Sequence, residues 1–276
     1  GGVTQINMLI DTVLASLLPT GSPSWLYVSD RLMQLPLGIF AIAIATVILP
    51  KLSNLFASDS REQFSSTLDW SIRLILLIGL PAVIGLVMLA EPIILTLFER
   101  GEFGAQDSSM ASSSLIALAF GLLAFMLIKI LTPSFFARQQ PKKPMFVALI
   151  SMVLNAFLAW LLAFQLGYAH VGLALASSIS AFFTVITLLI LLYKDKVYKS
   201  SKGWIYFLFR MLIASSVLIL LINFFSQEVE YLRQISEFSR FVYIFKIVLI
   251  GMVGYFLSLW ILGLRIKDFS NTDVFN

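Results

Sequence analysis

The chain has 276 residues, of which 59% are hydrophobic and 12% charged, and a mean hydropathy of +0.94; soluble domains carry roughly 25% charged residues, so a soluble enzyme is excluded. It has no cysteine, which rules out disulfides and thiolate-ligated metals, and its single histidine, His170, cannot anchor a histidine-rich metal site. The net charge of +4 reflects where the loops of a membrane chain lie, and nucleic acid is not an expected partner.

A bilayer core asks for about 17–25 apolar residues per helix. The chain opens on a partial apolar run, 3–18, that already contains Gln5, Asn7 and Asp11. No basic segment or cleavage site precedes that run, so it is not a signal peptide and reads as the interior of a longer protein. Charge-free runs follow at 32–50, 74–90, 111–128, 147–164, 171–193, 211–227 and 247–264, giving eight candidate helices with the partial one. The second is expected to start at Trp25 and end near Phe56. The segment from Glu91 to Phe103 is too short to span; Ile93, Ile94, Leu97 and Phe98 share one helical face, which predicts an amphipathic helix at the membrane interface. Further on, Gly172, Ala176 and Ser180 recur every four residues, a spacing that lets helices approach closely.

Orientation follows from Lys and Arg in the connections. If helices alternate, one set of connections holds Lys51, Arg61, Arg138, Lys142, Lys143, Lys194, Lys196, Lys199, Lys202, Arg265 and Lys267. The other holds Arg100, Arg233 and Arg240 among Glu91, Glu99, Glu102, Asp107, Glu228, Glu230 and Glu237. Eleven basic residues against three place the first set, and the C-terminal tail 266–276, in the cytoplasm.

Ionisable groups inside apolar spans are expensive and either snorkel to an interface or serve function. Arg73 follows Asp69 by four, so the two can pair on one helix face; Arg73 and Arg210 are read as interfacial anchors. Lys129 either snorkels towards the cytoplasmic end or faces a cavity, and Lys246 stays undecided. Asp30 and Arg31 are adjacent, about 100° apart on a helix, so each needs water or another partner. Pro36 is expected to bend the helix just below them, opening room for a water-filled vestibule, and Ser22 and Ser24 add hydroxyls able to bond an anion. Arg31 therefore marks either an anion site or the outer interface. Asp11 and Asn155 could coordinate a cation or proton, or simply bond a neighbouring helix. The sequence shows no phosphate-cradling glycine loop, nucleophile–base constellation or metal-ligand cluster.

Several stretches resemble the MurJ (MviN) lipid II flippase family: TGSPSWLYVSDRLMQLPLGIFAIAIATVILPKLS at 20–53, LDWSIRL at 68–74, LAEPIILTLFERGEF at 89–103, KILTPSFFARQQPKKP at 129–144 and HVGLALASS at 170–178. They occur in family order along nearly the whole chain. The resemblance implies an all-α, polytopic membrane protein of the multidrug/oligosaccharidyl-lipid/polysaccharide exporter superfamily; the family itself has two six-helix lobes followed by two extra helices. This chain looks like helices 7–14: residues 1–196 the C-terminal lobe, 197–265 the two extra transmembrane helices with a groove for a polyprenyl tail, and 266–276 a tail.

By resemblance, the expected function is translocation of lipid II, the undecaprenyl-diphosphate-linked peptidoglycan precursor, by alternating access in the bacterial inner membrane. The rivals are a flippase for another polyprenyl-linked glycan and a non-transporting scaffold. No bond-making chemistry is implied. Arg31 would grip the diphosphate with Asp30 beside it, and Ser22, Ser24, Gln34 and Lys129 complete the expected substrate contacts. The expected partners are lipid II, membrane lipids and an N-terminal lobe that supplies further arginines. No cofactor is expected beyond a coupling cation, Na+ or H+. The chain departs from the family pattern in two places. The usual Glu of RLMELP is Gln34, which loses a titratable charge, and one turn past Asn155 stands Ala159 in place of a second carboxylate, so Asp11 and Asn155 are weak candidates for a metal.

Overall fold

The computed structural model describes residues 2–264, with side chains from residue 9 onward; Arg265, Lys267 and the expected tail 266–276 lie outside them, as do the side chains of Gln5 and Asn7. The described residues are helical, and their β structure is one isolated bridge between Arg100 and Phe103. Helix α1 covers Gly2–Ser16. A single continuous helical span follows, made of α2 (Ser22–Pro36), a π-helical segment (Leu37–Ile42) and α3 (Ala43–Ala57). Then come α4 (Arg61–Met88), the short α5 (Ala90–Phe98), α6 (Ala105–Ala137) and α7 (Lys142–Trp160), which ends in a second π segment (Leu161–Gln165). Helices α8 (Ala169–Lys194), α9 (Trp204–Phe225), the short α10 (Val229–Gln234) and α11 (Glu237–Ile261) complete the order. Seven of these, counting Ser22–Ala57 as one, are long and apolar enough to cross a membrane, matching the seven full runs read from the sequence; α1 is the expected partial one.

Helix α6 is the hub. Its line of small residues, including Ala111, Ser114, Ala117, Ala119, Gly121 and Ala124, is fully or almost fully buried, because small side chains let neighbouring backbones close in where lipid offers no hydrophobic drive to associate. A Cβ on Gly121 would stand 2.6 Å from the Ser178 hydroxyl and 2.8 Å from its Cα. The stripe read on α8 packs the same way: a Cβ on Gly172 would lie 2.7 Å from the backbone of Leu162 and Ala163, and Ala176 and Ser180 are buried. The last two long helices join through a separate apolar cluster in which Phe207, Met211, Leu218, Ile247, Tyr255 and Leu259 meet Leu77 of α4. Their outer faces carry bare apolar side chains such as Ile205, Phe224, Phe238 and Ile261, as a surface meeting lipid tails requires.

Helix α5 is the short helix expected between two spans. It buries Ala90, Ile94 and Leu95, the first two in one cluster with Trp25, Val28, Leu32, Ala111 and Leu115, while Leu97 is exposed. One expectation is corrected at Arg73. It is not an interfacial anchor: with its side chain 1% exposed, it bonds Asp69 at 3.0 Å, the Ser201 hydroxyl at 2.6 Å and the Lys202 carbonyl at 3.0 Å. Arg210 is half-buried and Lys246 exposed.

Two groups of connections gather at opposite ends of the bundle. At one end Ser65 bonds Lys199, Arg73 reaches Lys202, and Arg138 and Lys143 meet Asp195. At the other, Arg233 meets Glu91 and Glu99, and Arg100 meets Glu237. These are the basic-rich and acidic-rich sets counted along the sequence.

Candidate functional site

The site is built on α2. Its entry is the tight turn at Gly21, whose φ of 100° lies in the left-handed region and whose missing Cβ leaves room for the Trp25 ring, 2.5 Å from where that atom would be; a side chain there is strained and blocked at once. Pro23 then sits in the first turn, where its lost N–H has no partner to miss. Trp25 is pinned by its indole N–H, which donates to Asp107 at 2.8 Å, and by His170, ring to ring at 4.8 Å. One turn later the buried Ser29 hydroxyl donates to the Ala111 carbonyl at 2.7 Å. Trp25 and Ser29 thus fasten one face of α2 to α6, so the opposite face, with Tyr27, Arg31, Gln34 and Leu35, is exposed.

On that open face the charges are sorted into two rails. Gln34 donates its side-chain amide to Asp30, one turn up. Arg31 lies over the Tyr27 ring, 4.9 Å from its centroid, and makes no ion pair with a described residue within 4.0 Å. Adjacent residues diverge on a helix, so Asp30 is carried to Gln34 and Arg31 to Tyr27. A π-helical segment starts at Leu37, directly after the Pro36 where a bend is expected; proline removes a backbone bond there, and such segments recur at functional sites.

A second polar group stands nearby. Asn155 of α7 donates to the Asp11 carboxylate of α1 at 3.1 Å, and the Ser177 hydroxyl of α8 donates to the Asn155 carbonyl oxygen at 3.4 Å. In this arrangement the amide turns its N–H towards the carboxylate and its oxygen towards a serine, and Ala159, where the family pattern carries a second carboxylate, is fully buried in one apolar cluster with Ala15, Ala163 and Ala176. No group of three His, Cys, Asp or Glu able to hold a metal occurs among the described residues.

Two expected contacts fall elsewhere. Ser22 is fully buried, its hydroxyl donating to the Pro19 carbonyl at 2.7 Å, so it braces the turn and does not face the open side. Lys129 is exposed, but it lies about five turns beyond the level where Ser29 fastens α2 to α6, about 27 Å of helix rise, and is not brought to Arg31. Ser24 is exposed near the head of α2. Tyr27 and Ser177 were missed; the four-residue interval between Tyr27 and Arg31 was the available signal for the first, whereas the second needed the packing of α7 on α8.

A family model described as "Lipid II flippase MurJ" matches residues 1–260. The chain belongs to that family. Probable lipid II flippases MurJ from Vibrio cholerae and Haemophilus influenzae are each 42% identical to it, over 272 and 269 residues, covering 96% and 95% of this chain and 50% and 52% of those proteins. The chain therefore spans about half the length of the curated relatives it matches. A solved structure of lipid II flippase MurJ in an inward closed conformation matches with a TM-score of 0.78 at 28% identity, over 98% of this chain and 52% of that one. An outward-facing multidrug MATE transporter of the MOP superfamily matches at 0.63 and 14% identity, over 98% of this chain and 64% of that one, a likeness of fold alone. In this MurJ-family chain, the motif from Thr20 to Ser53 that carried the resemblance lies on the π-interrupted helix bearing Arg31, and the polytopic all-α fold is the one expected.

Proposed function

We propose that this chain is the half of a lipid II flippase that holds the substrate diphosphate on Arg31 while the polyprenyl tail stays in lipid along α9 and α11. The observation that carries the proposal is an arginine on the open face of α2 with no carboxylate partner among the described residues, its neighbouring aspartate already engaged by Gln34. A guanidinium keeps its charge in a low-dielectric setting, and its planar fork matches phosphate oxygens. Asp30 and Gln34 stand beside it, and Ser24 lies at the outer end of the same helix.

The substrate class is a polyprenyl-diphosphate glycolipid, and the protein moves it without making or breaking a bond. An N-terminal lobe of the family's kind supplies the facing wall and further cations, and rocking of the lobes exposes the headgroup on the far side. The setting is the bacterial inner membrane, with the basic-rich end, and so the C-terminus, in the cytoplasm. A membrane potential or an ion gradient, of Na+ or H+, provides the drive.

The test is rescue of a bacterium depleted of its own lipid II flippase by the whole encoded protein. Wild type should restore growth and Arg31→Ala should not, at equal membrane abundance; Arg31→Lys then separates charge from fork geometry. Normal rescue by Arg31→Ala would place Arg31 at a plain interfacial helix end and remove the reading.

A further inference from the structure

We propose that Tyr27 is a positioning residue for the diphosphate group: its ring holds the Arg31 guanidinium so that the N–H edges point outward to the anion. This rests on the reading of Arg31 as the diphosphate-binding residue. Four observations meet at this pair. The Arg31 guanidinium lies 4.9 Å from the Tyr27 ring centroid, one turn away on the same helix. Tyr27 is 57% exposed, so its ring does not serve the core; Trp25 and Val28 on either side of it do that. The Tyr27 hydroxyl has no hydrogen-bond partner among the described residues. Finally, Asp30, the one carboxylate adjacent in sequence, bonds Gln34, and the guanidinium makes no salt bridge with a described residue.

An arginine side chain has many rotamers, and an anion site needs one of them. A carboxylate partner would fix the rotamer but occupy the N–H fork and neutralise the charge. A ring fixes it through the flat face of the guanidinium and leaves the five edge donors free for phosphate oxygens. The Asp30–Gln34 bond completes the arrangement by keeping the nearest negative charge on its own rail. The ring is the working part; the hydroxyl is dispensable.

The measurement is a double-mutant cycle on the whole encoded protein in detergent, titrated calorimetrically with farnesyl diphosphate as a short-chain prenyl diphosphate probe. Tyr27→Leu should weaken binding by about 2- to 30-fold, the range of a cation–π contact from exposed to desolvated, whereas Tyr27→Phe should bind like wild type. In an Arg31→Ala background, Tyr27→Leu should cost nothing further. If Tyr27→Leu binds normally, or weakens binding equally with and without Arg31, the ring does not act through the guanidinium and the proposal falls alone. Tyr27→Phe losing as much as Tyr27→Leu would also overturn it, by assigning the effect to the hydroxyl. If Arg31→Ala itself binds like wild type, the diphosphate reading falls first and Tyr27 goes with it. Equal thermal unfolding of Tyr27→Leu and Tyr27→Phe keeps misfolding from imitating the effect.

Discussion

Arg73 and Asp69 form an ion pair at 3.0 Å with both side chains 1% exposed, and it joins the six-helix body to the last two long helices. Asp69 also accepts from the Tyr198 hydroxyl at 2.7 Å, the Trp204 indole at 2.8 Å and the Ser201 hydroxyl. Arg73 lies over the Trp204 and Phe207 rings, 4.8 and 5.5 Å from their centroids. The segment from Tyr198 to Trp204 is thereby tied to α4. Burial and the neighbouring Asp69 charge both push the Tyr198 hydroxyl well above its ordinary pKa, so it remains a donor throughout the working pH range.

Removing one partner of such a pair strands the other charge in a low-dielectric interior, which costs about 3–5 kcal/mol. Asp69→Ala is therefore expected to lower the thermal stability of the whole encoded protein sharply. Arg73→Lys should lose part of the same amount, since an ammonium keeps the charge but not the stack or the fork. Thermal unfolding in detergent checks both. An Asp69→Ala protein as stable as wild type would show that the tie carries no load.

This cluster also marks where the sequence was legible and where it was not. The four-residue interval exposed the Asp69–Arg73 pair, but hydropathy alone put it at an interface, because nothing in a one-dimensional pattern shows that a distant Ser201, Trp204 and Phe207 fold over it. The long helices were legible because the bilayer sets their length and apolarity, and Pro36 marked the place where regular α-helix gives way to a π-helical segment. At the site, Arg31, Asp30 and Gln34 stood out as polar groups in an apolar run. Ser22 was misplaced because a serine in a loop looks the same whether it faces a ligand or braces a turn.

Asp195 at the basic-rich end predicts acid lability. Burial works to raise its pKa, but hydrogen bonds from Lys143 at 2.6–2.7 Å and Arg138 at 2.8 Å, with their charges, outweigh burial and hold the carboxyl below its ordinary value. A depressed folded-state pKa contributes stability that is fully present above the unfolded value, near 3.9, and is lost as pH falls through the lower folded one. Asp195→Asn should therefore melt below wild type at neutral pH, by a gap that stays constant down to about pH 5 and closes below about pH 4. Melting curves of the two proteins across that range decide it; a gap that widens in acid would reverse the sign and defeat the argument.

The Asp11–Asn155 pair predicts how this chain responds to a restored family carboxylate. Ala159 is fully buried against Ala15, Ala163 and Ala176, so Ala159→Asp would insert a charge into a packed apolar contact. That costs several kcal/mol when no partner compensates. The expected result is a destabilised protein with no gain in sodium binding. Thermal unfolding with and without sodium checks this; a variant stabilised by sodium but not by potassium would show that the pocket can open into a cation site.

The Asp30–Gln34 bond predicts the effect of restoring the glutamate of the family pattern. Gln34 donates an amide hydrogen to the Asp30 carboxylate at any pH. A glutamate donates only while one carboxyl of the pair stays protonated, and two carboxylates that close share a proton rather than both ionise. Gln34→Glu should therefore resemble wild type in acid. As pH rises through the pair's titration the shared proton leaves, the two like charges repel, and an added negative charge stands one turn from Arg31. Farnesyl diphosphate affinity should then fall relative to wild type, on the order of tenfold, which corresponds to about 1.4 kcal/mol. The ratio of variant to wild-type affinity, measured from pH 5 to pH 8, cancels the titration of the probe itself. A ratio flat across that range would mean that the charge state at position 34 does not reach Arg31, and that Gln34 shields the guanidinium in no functional sense.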